Sequence, residues 1–356
     1  MQTNNSIQLI HAAHQEISQD VLAVDVGYGY TKAISTSGRR VIFPSVIAPA
    51  WDLPLSNMVK EKVGYNVSIR RSHNDQEEVW FVGDLALREG QEVQYTLDRV
   101  KHAHPSHDVL LLTAAALTTI PTRVNTPDGI TGPTLVVGLP VDCYRDTEHR
   151  NSLRKHLENL KATVSVDGSE PARVNFRPGN VMVYPQGAGA LLTADNLPEE
   201  GIVALIDVGY KTTDCVAVEL GGGNQKLMQA MCTSCNKGII ALLEAVTEEF
   251  HEHTKAQLPL RYAIDALRTS RVWYRGEKVD LSGTISKARR EVSRAIADQV
   301  LAKWGERADF VRGVYLSGGG ALELTELPQM FPATKILDDA QWSNAIGFLE
   351  VGKTKR

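Results

Sequence analysis

The chain has little cysteine, few aromatic residues and no excess of positive charge. Only 4 of its 356 residues are cysteine, 6% are aromatic, and the formal net charge is −4. Four cysteines in a chain of this length do not form a disulfide framework. The slightly acidic balance offers no overall attraction for phosphate backbones, so any contact with nucleic acid is expected to be indirect or confined to a patch.

The sequence also lacks a hydrophobic run that is long and uncharged enough to span a bilayer or to act as a secretory signal. Its hydrophobic fraction of 43% and charged fraction of 22% are values of a globular protein. A chain of this length is expected to form two domains of average size. We therefore expect a soluble, cytoplasmic protein without a membrane partner.

The cysteines do not predict a metal or redox centre. Cys232 and Cys235 form one C-x-x-C pair, but no second pair or spaced histidine pair completes a zinc ligand set. Cys143 and Cys215 stand alone in apolar segments, which is typical of small core residues. The histidines of KHAHPSH (101–107) and HEH (251–253) lie in polar segments and are predicted to face solvent.

Strand and helix patterns alternate along the chain. Residues 1–20 are polar and weakly patterned, which predicts a loose tail or a short leading helix. From Val21 onward, apolar strands alternate with helical segments such as HDVLLLTAAALTTI and ISKARREVSRAIADQVLAKW. This alternation occurs in two sets and predicts an α/β fold with largely parallel sheets.

Each set opens with the same four letters, D-V-G-Y. The first copy is AVDVGYGYTKA (23–33), and the second is LIDVGYKTTDCVA (205–217). Glycine in a tight turn lets backbone N–H groups approach a phosphate without interference from side chains. Asp25 and Asp207 end apolar strands, where an ionised carboxylate is costly unless a cation or hydrogen-bond donors satisfy it.

The repetition distinguishes these turns from ordinary hairpins. A single copy would be interpreted as a hairpin in which the aspartate begins the turn. Two copies facing each other would place two carboxylates near one Mg²⁺, which prefers few carboxylates together with waters and phosphate oxygens. The residues after the two turns differ, because Lys32 supplies positive charge in the first copy, whereas Thr212 and Asp214 supply a hydroxyl and a carboxylate in the second.

These motifs resemble those of the superfamily of actin, the heat-shock chaperone ATPases and the sugar kinases. The five matching segments are, in chain order, VDVGYGYTKA, VYPQGAGA, IDVGYKTTDC, YLSGGGALEL and NAIGFLEVG. They correspond to a first phosphate loop, a first connecting helix, a second phosphate loop, an adenosine motif and a second connecting helix. Within the superfamily, VIFPSVIAP, WFVGDLALREG, VVGLPVDCY and GEKVDL resemble bacterial actin-like proteins of the ParM/StbA plasmid-segregation type.

The resemblance implies two actin-like, ribonuclease H-like domains that flank a nucleotide cleft. Domain I would span 21–184 and be completed by 345–356, and domain II would span 185–344. The implied cofactors are ATP, with GTP left open, and Mg²⁺.

The resemblance also implies roles for individual residues. Asp25 and Asp207 would hold Mg²⁺, and Gln186 would orient the attacking water, although Gln186 could instead cap the next helix. The positions that would contact the nucleotide are Gly27, Tyr28, Gly29, Tyr30, Thr31, Lys32, Gly209, Tyr210, Lys211, Thr212, Asp214, Gly238, Gly318, Gly319 and Gly320. Tyr28 and Tyr210 stand where many relatives carry Ser, Thr or Gly, so the tyrosine backbone would supply the contact there.

The implied function is slow ATP hydrolysis coupled to a head-to-tail homopolymer, since contacts that do not close into a ring generate filaments. Plasmid DNA would be reached only indirectly, through a DNA-binding adaptor. A small-molecule kinase is an alternative, and it needs an acceptor pocket with an aspartate base, for which the sequence offers no distinct candidate beyond Asp214. A non-polymerising, chaperone-like ATPase is another, but the motifs leave no room for a separate peptide-binding domain.

One further pattern, near residue 350, does not indicate a nucleotide site. GFLEVGKT (347–354) matches the P-loop letters, but a P-loop follows a strand and opens a helix. Gly352, Lys353 and Thr354 are instead predicted to belong to a frayed tail.

Overall fold

The computed structural model describes residues 20–55, 63–73, 76–95, 100–118, 132–176 and 178–354. The predicted tail at 1–20 lies, apart from Asp20, outside these residues. The strands are β1 (Val21–Val26), β2 (Tyr30–Ser35), β3 (Arg40–Pro44), β4 (Val46–Pro49), β5 (Tyr65–Arg71), β6 (Glu77–Val82), β7 (Gln94–Tyr95), β8 (Thr134–Leu139), β9 (Lys161–Val166), β10 (Ala172–Asn175), β11 (Val181–Pro185), β12 (Gly201–Val208), β13 (Thr213–Gly221), β14 (Asn224–Leu227), β15 (Thr233–Cys235), β16 (Arg271–Tyr274), β17 (Glu277–Asp280), β18 (Val311–Ser317) and β19 (Thr334–Ile336).

The α-helices are α1 (Asp84–Glu89), α2 (Pro105–Thr118), α3 (Val141–Arg145), α4 (Thr147–Asn159), α5 (Ala188–Leu191), α6 (Ile240–Thr254), α7 (Leu260–Thr269), α8 (Ser282–Trp304), α9 (Gly319–Glu323) and α10 (Ser343–Thr354). Short 3₁₀ helices lie at Lys101–Ala103, Gln229–Met231, Gly305–Phe310 and Leu327–Met330. Among the described residues, every helix is too short or too polar to cross a lipid bilayer.

The two halves of the chain contain sheets with the same strand order. In the first half the order is β3-β2-β1-β8-β11, and in the second half it is β14-β13-β12-β18-β19. In each sheet the first three strands pair antiparallel, and the other two continue the sheet in parallel. The predicted α/β class and the two related halves are therefore confirmed.

The prediction of largely parallel sheets is wrong. A further sheet in the first half, β10-β9-β5-β6-β4-β7, is antiparallel at every described pairing. Part of the reason lies in the connections. Short connections join β5 to β6 and β9 to β10, and such connections can join only antiparallel neighbours, whereas a parallel pair needs a crossover of a dozen or more residues.

The apolar segments occupy the positions that their patterns predict. All six residues of β1 are buried. Helix α2 is buried around most of its circumference because it packs against β1 and β2 on one side and β9 and β10 on the other. A helix that is apolar on all sides is expected in such a place. All four cysteines are buried and free, which confirms the core placement of Cys143 and Cys215.

The prediction that the histidines of 101–107 face solvent is wrong. His107 is buried, and beside it the Asp108 carboxylate accepts from His156 Nε2 at 2.7 Å and from Arg71 Nη1 at 2.8 Å. Burial would raise the pKa of Asp108, but hydrogen bonds from His107 and His156 hold it well below its usual range. The hydrogen bond to Asp108 in turn raises the pKa of His156 despite burial. In contrast, His251 and His253 are exposed, as predicted.

The predicted frayed tail is also wrong. The letters GFLEVGKT lie within α10, which packs against β1, β8 and α5, so they form no P-loop. Gly352 is buried, and a Cβ there would lie 2.3 Å from Val21 Cγ1. Where α10 crosses α5, a Cβ on Gly347 would lie 1.8 Å from the Gly189 carbonyl oxygen. This end of the described chain is therefore part of the first half's packing.

Candidate functional site

The two D-V-G-Y segments form hairpins of the same geometry. Hairpin 1 (Asp25–Lys32) closes with a hydrogen bond from Gly27 N to Tyr30 O of 3.1 Å, and hairpin 2 (Asp207–Asp214) with one from Gly209 N to Thr212 O of 2.9 Å. The strand register pairs Asp25 with Lys32 and Asp207 with Asp214. Lys32 and Asp214 therefore occupy equivalent positions with opposite charge.

Both hairpins line one cavity of about 490 Å³ between the halves. The predicted site residues that line it are Asp25, Gly27, Tyr28, Gly29, Tyr30, Lys32, Gln186, Asp207, Gly209, Tyr210, Thr212, Asp214, Gly318, Gly319 and Gly320. Residues separated by most of the chain's length are thus brought to one place, as the motifs predict.

Three predicted residues, Thr31, Lys211 and Gly238, do not line the cavity. The hydroxyl of Thr31 is buried against Ser45 Oγ at 2.9 Å. Lys211 Nζ lies 5.2 Å from the centroid of the Tyr28 ring. A Cβ on Gly238 would lie 2.7 Å from the carbonyl oxygens of residues 209 and 210, so this glycine packs against the backbone of hairpin 2.

Asp25 lines the cavity, and only 3% of its surface is exposed. Its Oδ1 accepts from Gln186 Nε2 at 2.8 Å, and its Oδ2 lies 3.5 Å from Lys32 Nζ. No side-chain cap is present at the start of α5, so Gln186 does not cap that helix. Because its Nε2 donates to Asp25, the amide oxygen of Gln186 is left as the acceptor.

Asp207 is the counterpart of Asp25 in the second half. Its Oδ1 accepts from Ser317 Oγ at 2.9 Å, and its Oδ2 accepts from Asn344 Nδ2 at 2.6 Å. Burial raises the pKa of Asp207, Lys32 opposes the rise, and the negative charge of Asp25 adds to it. The two carboxylates therefore lie near enough to repel each other in a site of low polarity.

The chemistry of these groups fits a hard cation. Asp25, Asp207 and the Gln186 amide supply oxygen atoms, which are the ligands that Mg²⁺ prefers, and a positive ion would offset the repulsion between the carboxylates. Within the described ranges, no three His, Cys, Asp or Glu side chains are grouped so that they alone could hold a metal ion. A cation here would therefore need water or phosphate oxygens to complete its shell.

Asp214 also lines the cavity and connects the two halves of the chain. Its Oδ1 accepts from Val141 N at 2.8 Å and from Ser234 Oγ at 2.7 Å. Val141 is the first residue of α3 in the first half of the chain. Burial raises the pKa of Asp214 to about 7, and these two donors oppose the rise.

The triple glycine packs against the strand that carries Asp207. Gly318 has a φ of +83°, and a Cβ there would lie 2.3 Å from Val208 O and 2.6 Å from Asp207 Oδ1. Both the backbone conformation and the close approach require glycine. The loop can therefore present backbone to the cavity while leaving the Asp207 carboxylate undisturbed.

The sequence analysis missed Ser317 and Asn344, which donate to the Asp207 carboxylate, and the residues that form the remaining wall of the cavity. Asn344 also accepts from Gly187 N at 2.9 Å through its Oδ1, so it connects the start of α5 to Asp207. Asn344 belongs to the segment NAIGFLEVG, which resembles the second connecting helix. A polar residue at the start of this apolar helix is the sequence signal that could have identified it. The other unpredicted lining residues include Asp84, Tyr95, Ile239, Ile264, Arg268, Glu323 and Gln341, and most of them lie outside the recognised segments.

Family models match both halves of the chain. Residues 23–189 match the model described as actin like proteins N terminal domain. Residues 205–328 match the model described as archaeal actin homologue MreB-like, C-terminal. An archaeal actin homologue of Thermoplasma acidophilum is 25% identical over 346 residues, which cover 94% of this chain and 98% of the relative.

Solved structures share the architecture over nearly the whole chain. A 15-stranded ParM filament from Clostridium botulinum is similar with a TM-score of 0.85 and 26% identity, covering 95% of this chain and 99% of that one. A non-polymerisable quadruple mutant of a ParM gives a TM-score of 0.83 and 27% identity, covering 94% and 99%. An archaeal actin homologue in complex with ADP gives a TM-score of 0.72 at 23% identity, covering 93% and 98%, and shares the fold. The chain belongs to the actin-like proteins, with the two-domain actin-like fold built around one cleft.

Proposed function

We propose that this protein binds MgATP in the cleft, hydrolyses it slowly and forms nucleotide-dependent head-to-tail filaments that segregate plasmid DNA. The observation that carries the proposal is the pair of matched hairpins that bring Asp25 and Asp207 to one cavity. The similarity to ParM structures, one of them a filament, supports the polymerising part. GTP is the competing nucleotide.

The chain's own residues suit this chemistry. In hairpin 1, Lys32 and the backbone N–H groups near Gly27 and Gly29 would bind phosphate oxygens. In hairpin 2, the corresponding turn at Gly209 and the Thr212 hydroxyl would do the same. Mg²⁺, when bound, would neutralise phosphate charge from a position held by Asp25 and Asp207.

Gln186 is proposed to orient the attacking water. Its Nε2 is occupied by Asp25, so its Oε1 is the atom that would accept a hydrogen bond from water. An amide is too weak a base to remove the proton early, and this fits a loose transition state in which positioning does most of the work. Slow hydrolysis would then time the disassembly of the filament.

We extend the proposal to the domain boundaries and the partners. Domain I is assigned to 21–184 with 345–356, because α10 packs on β1 and β8, and domain II to 185–344. The net charge of −4 supports contact with DNA through an adaptor and not directly. The proposed location is the cytoplasm.

The test combines light scattering with sedimentation after addition of ATP, GTP or a non-hydrolysable ATP analogue. Pelletable polymer that appears with nucleotide and disperses as phosphate is released supports the proposal. No polymer over a wide protein range, with or without hydrolysis, refutes its filament part. Asp207→Ala should lose Mg-nucleotide binding or hydrolysis, whereas Asp298→Ala, at an exposed position of α8, is the matched control.

One observation favours a second candidate, a small-molecule kinase. Asp214 lines the cavity and has a pKa raised to about 7 by burial, and this is the range of a general base. A kinase would consume ATP faster when a sugar or another hydroxyl compound is added. Acceleration of that kind without polymer formation would favour the kinase.

A further inference from the structure

The two hairpins touch each other directly across the cleft. A Cβ built on Gly29 in hairpin 1 would lie 2.7 Å from both Cβ and Cδ2 of Tyr210 in hairpin 2, and 2.8 Å from its Cγ. These three atoms are the nearest ones that such a Cβ would meet. Carbon atoms in favourable contact are separated by about 3.5–4.0 Å. The Tyr210 side chain therefore packs on the bare Cα of Gly29 with no space for a methyl group.

A second contact lies beside the first and also joins the two hairpins. Lys211 Nζ in hairpin 2 lies 5.2 Å from the ring centroid of Tyr28 in hairpin 1, within the range of a cation–π interaction. Tyr28 and Tyr210 occupy equivalent positions, each directly after the first glycine of its hairpin. Each hairpin thus contributes one tyrosine to the contact.

Both sides of this contact are fixed to the rest of their halves. The Tyr210 carbonyl accepts from Ile240 N at 2.7 Å, which anchors hairpin 2 to the start of α6. The Gly29 carbonyl accepts from Ser45 N at 2.8 Å, which anchors hairpin 1 to the segment between β3 and β4. Tyr210 also packs against the main core of the second half. A change in the spacing at this contact would therefore move both hairpins and not only a side chain.

We propose that Tyr210 is a positioning residue whose side chain, packed on Gly29, sets the closest approach of the two hairpins and hence the separation of Asp25 and Asp207. The pair works as a steric stop: a larger residue at 29 holds the hairpins apart, and a smaller residue at 210 lets them shift. This proposal rests on the proposed function, because the spacing matters through the Mg-nucleotide that both carboxylates would hold.

The first test uses the full chain without nucleotide. Gly29→Ala is expected to lower the urea midpoint of unfolding. The backbone conformation at residue 29 accepts alanine, but the Tyr210 side chain leaves no room for the added methyl group. Tyr210→Gly, which removes Cβ together with the ring, should abolish that effect, whereas Tyr210→Phe, which keeps both, should preserve it. Gly221→Ala is the matched control, since nothing lies within 4 Å of a Cβ there. Equal effects of Gly29→Ala with and without the Tyr210 side chain would overturn the contact.

The second test measures ATP turnover by the same variants. A displacement of about 1 Å in a reacting geometry can cost about 100-fold in rate, so Gly29→Ala should lower kcat by up to that factor and change KM less. The Gly29→Ala/Tyr210→Gly double variant should recover about 10-fold or more of that loss, as expected for two residues that act through one contact. No recovery would mean that the alanine obstructs the phosphate itself, and the positioning role would be refuted. If the wild type hydrolyses no nucleotide, the proposed function fails, and the unfolding test still decides the contact.

Discussion

Asn344 offers the sharpest quantitative test of the site. Its side chain donates to Asp207 Oδ2 at 2.6 Å and accepts from Gly187 N at 2.9 Å, and it is 6% exposed. Asn344→Ala removes both bonds and leaves a buried carboxylate and a buried N–H without these partners. A hydrogen bond to a charged group contributes about 1.5–3 kcal/mol, so we expect a loss of about 3 kcal/mol in the free energy of unfolding.

The large predicted loss of stability depends on the negative charge of Asp207. Burial raises the pKa of Asp207, and the donors from Asn344 and Ser317 oppose that rise. In an Asp207→Asn background the partner is neutral, so removing the Asn344 side chain should cost only about 1–2 kcal/mol. The expected coupling between the two positions is therefore about 1–2 kcal/mol.

The assay is urea unfolding at pH 7, followed both by circular dichroism and by tryptophan fluorescence, because coincident transitions justify a two-state free energy. Asn159→Ala is the matched control: its amide donates to Lys155 O at 2.8 Å on an exposed part of α4, and its loss should stay within about 0.5 kcal/mol. If the losses from Asn344→Ala and Asp207→Asn add within about 0.5 kcal/mol, the two side chains are not coupled and the reasoning is refuted.

Three further predictions concern the rest of the molecule. His156→Gln should destabilise the protein more at pH 6 than at pH 9. The hydrogen bond to Asp108 raises the pKa of His156, so protonated His156 stabilises the fold below about pH 6.5, and this contribution is lost as pH rises through the folded-state pKa. Equal urea midpoint shifts at both pH values would contradict this. Gly347→Ala should cost about 1–3 kcal/mol or more by urea unfolding, because its Cβ would lie 1.8 Å from a carbonyl oxygen of α5, whereas Gly221→Ala should be silent. Gln186→Ala should slow hydrolysis by about 100-fold while MgATP affinity changes little in a fluorescent-nucleotide titration, and a loss of affinity as large as the loss of rate would argue against a role in placing water.

The repeated hairpins were predictable because their geometry is local. A D-x-G turn after an apolar strand places the aspartate at the end of that strand and exposes backbone N–H groups in the turn. The strand register then places Lys32 opposite Asp25 and Asp214 opposite Asp207. The ordered set of motifs supplied the long-range part, since it implied that both hairpins face one cleft. The strand order in both halves agrees with that expectation.

Other features depended on partners that a sequence does not reveal. From the sequence, His107 was predicted to be a polar surface residue. The fold instead brings Asp108, His156 and Arg71 together beside it from three separate elements. Gly352 was likewise predicted to belong to a tail, but it is buried because α10 packs on β1. In the same way, the role of Tyr210 appears only when Gly29 lies against its side chain, because neither residue predicts the other at their separation along the chain.

The position of Asn344 has a consequence for the order in which the molecule assembles. The residue that holds Asp207 and the start of α5 is synthesised long after both of them. Until α10 has been made and has packed across β1, the Asp207 carboxylate lacks one of its two side-chain donors, and the cleft is incomplete. Contacts between residues so far apart in sequence are also slow to form, because the entropy of closing the loop must be overcome first. During synthesis, the emerging chain would therefore acquire a competent nucleotide site only as a late event, after most of both sheets has formed.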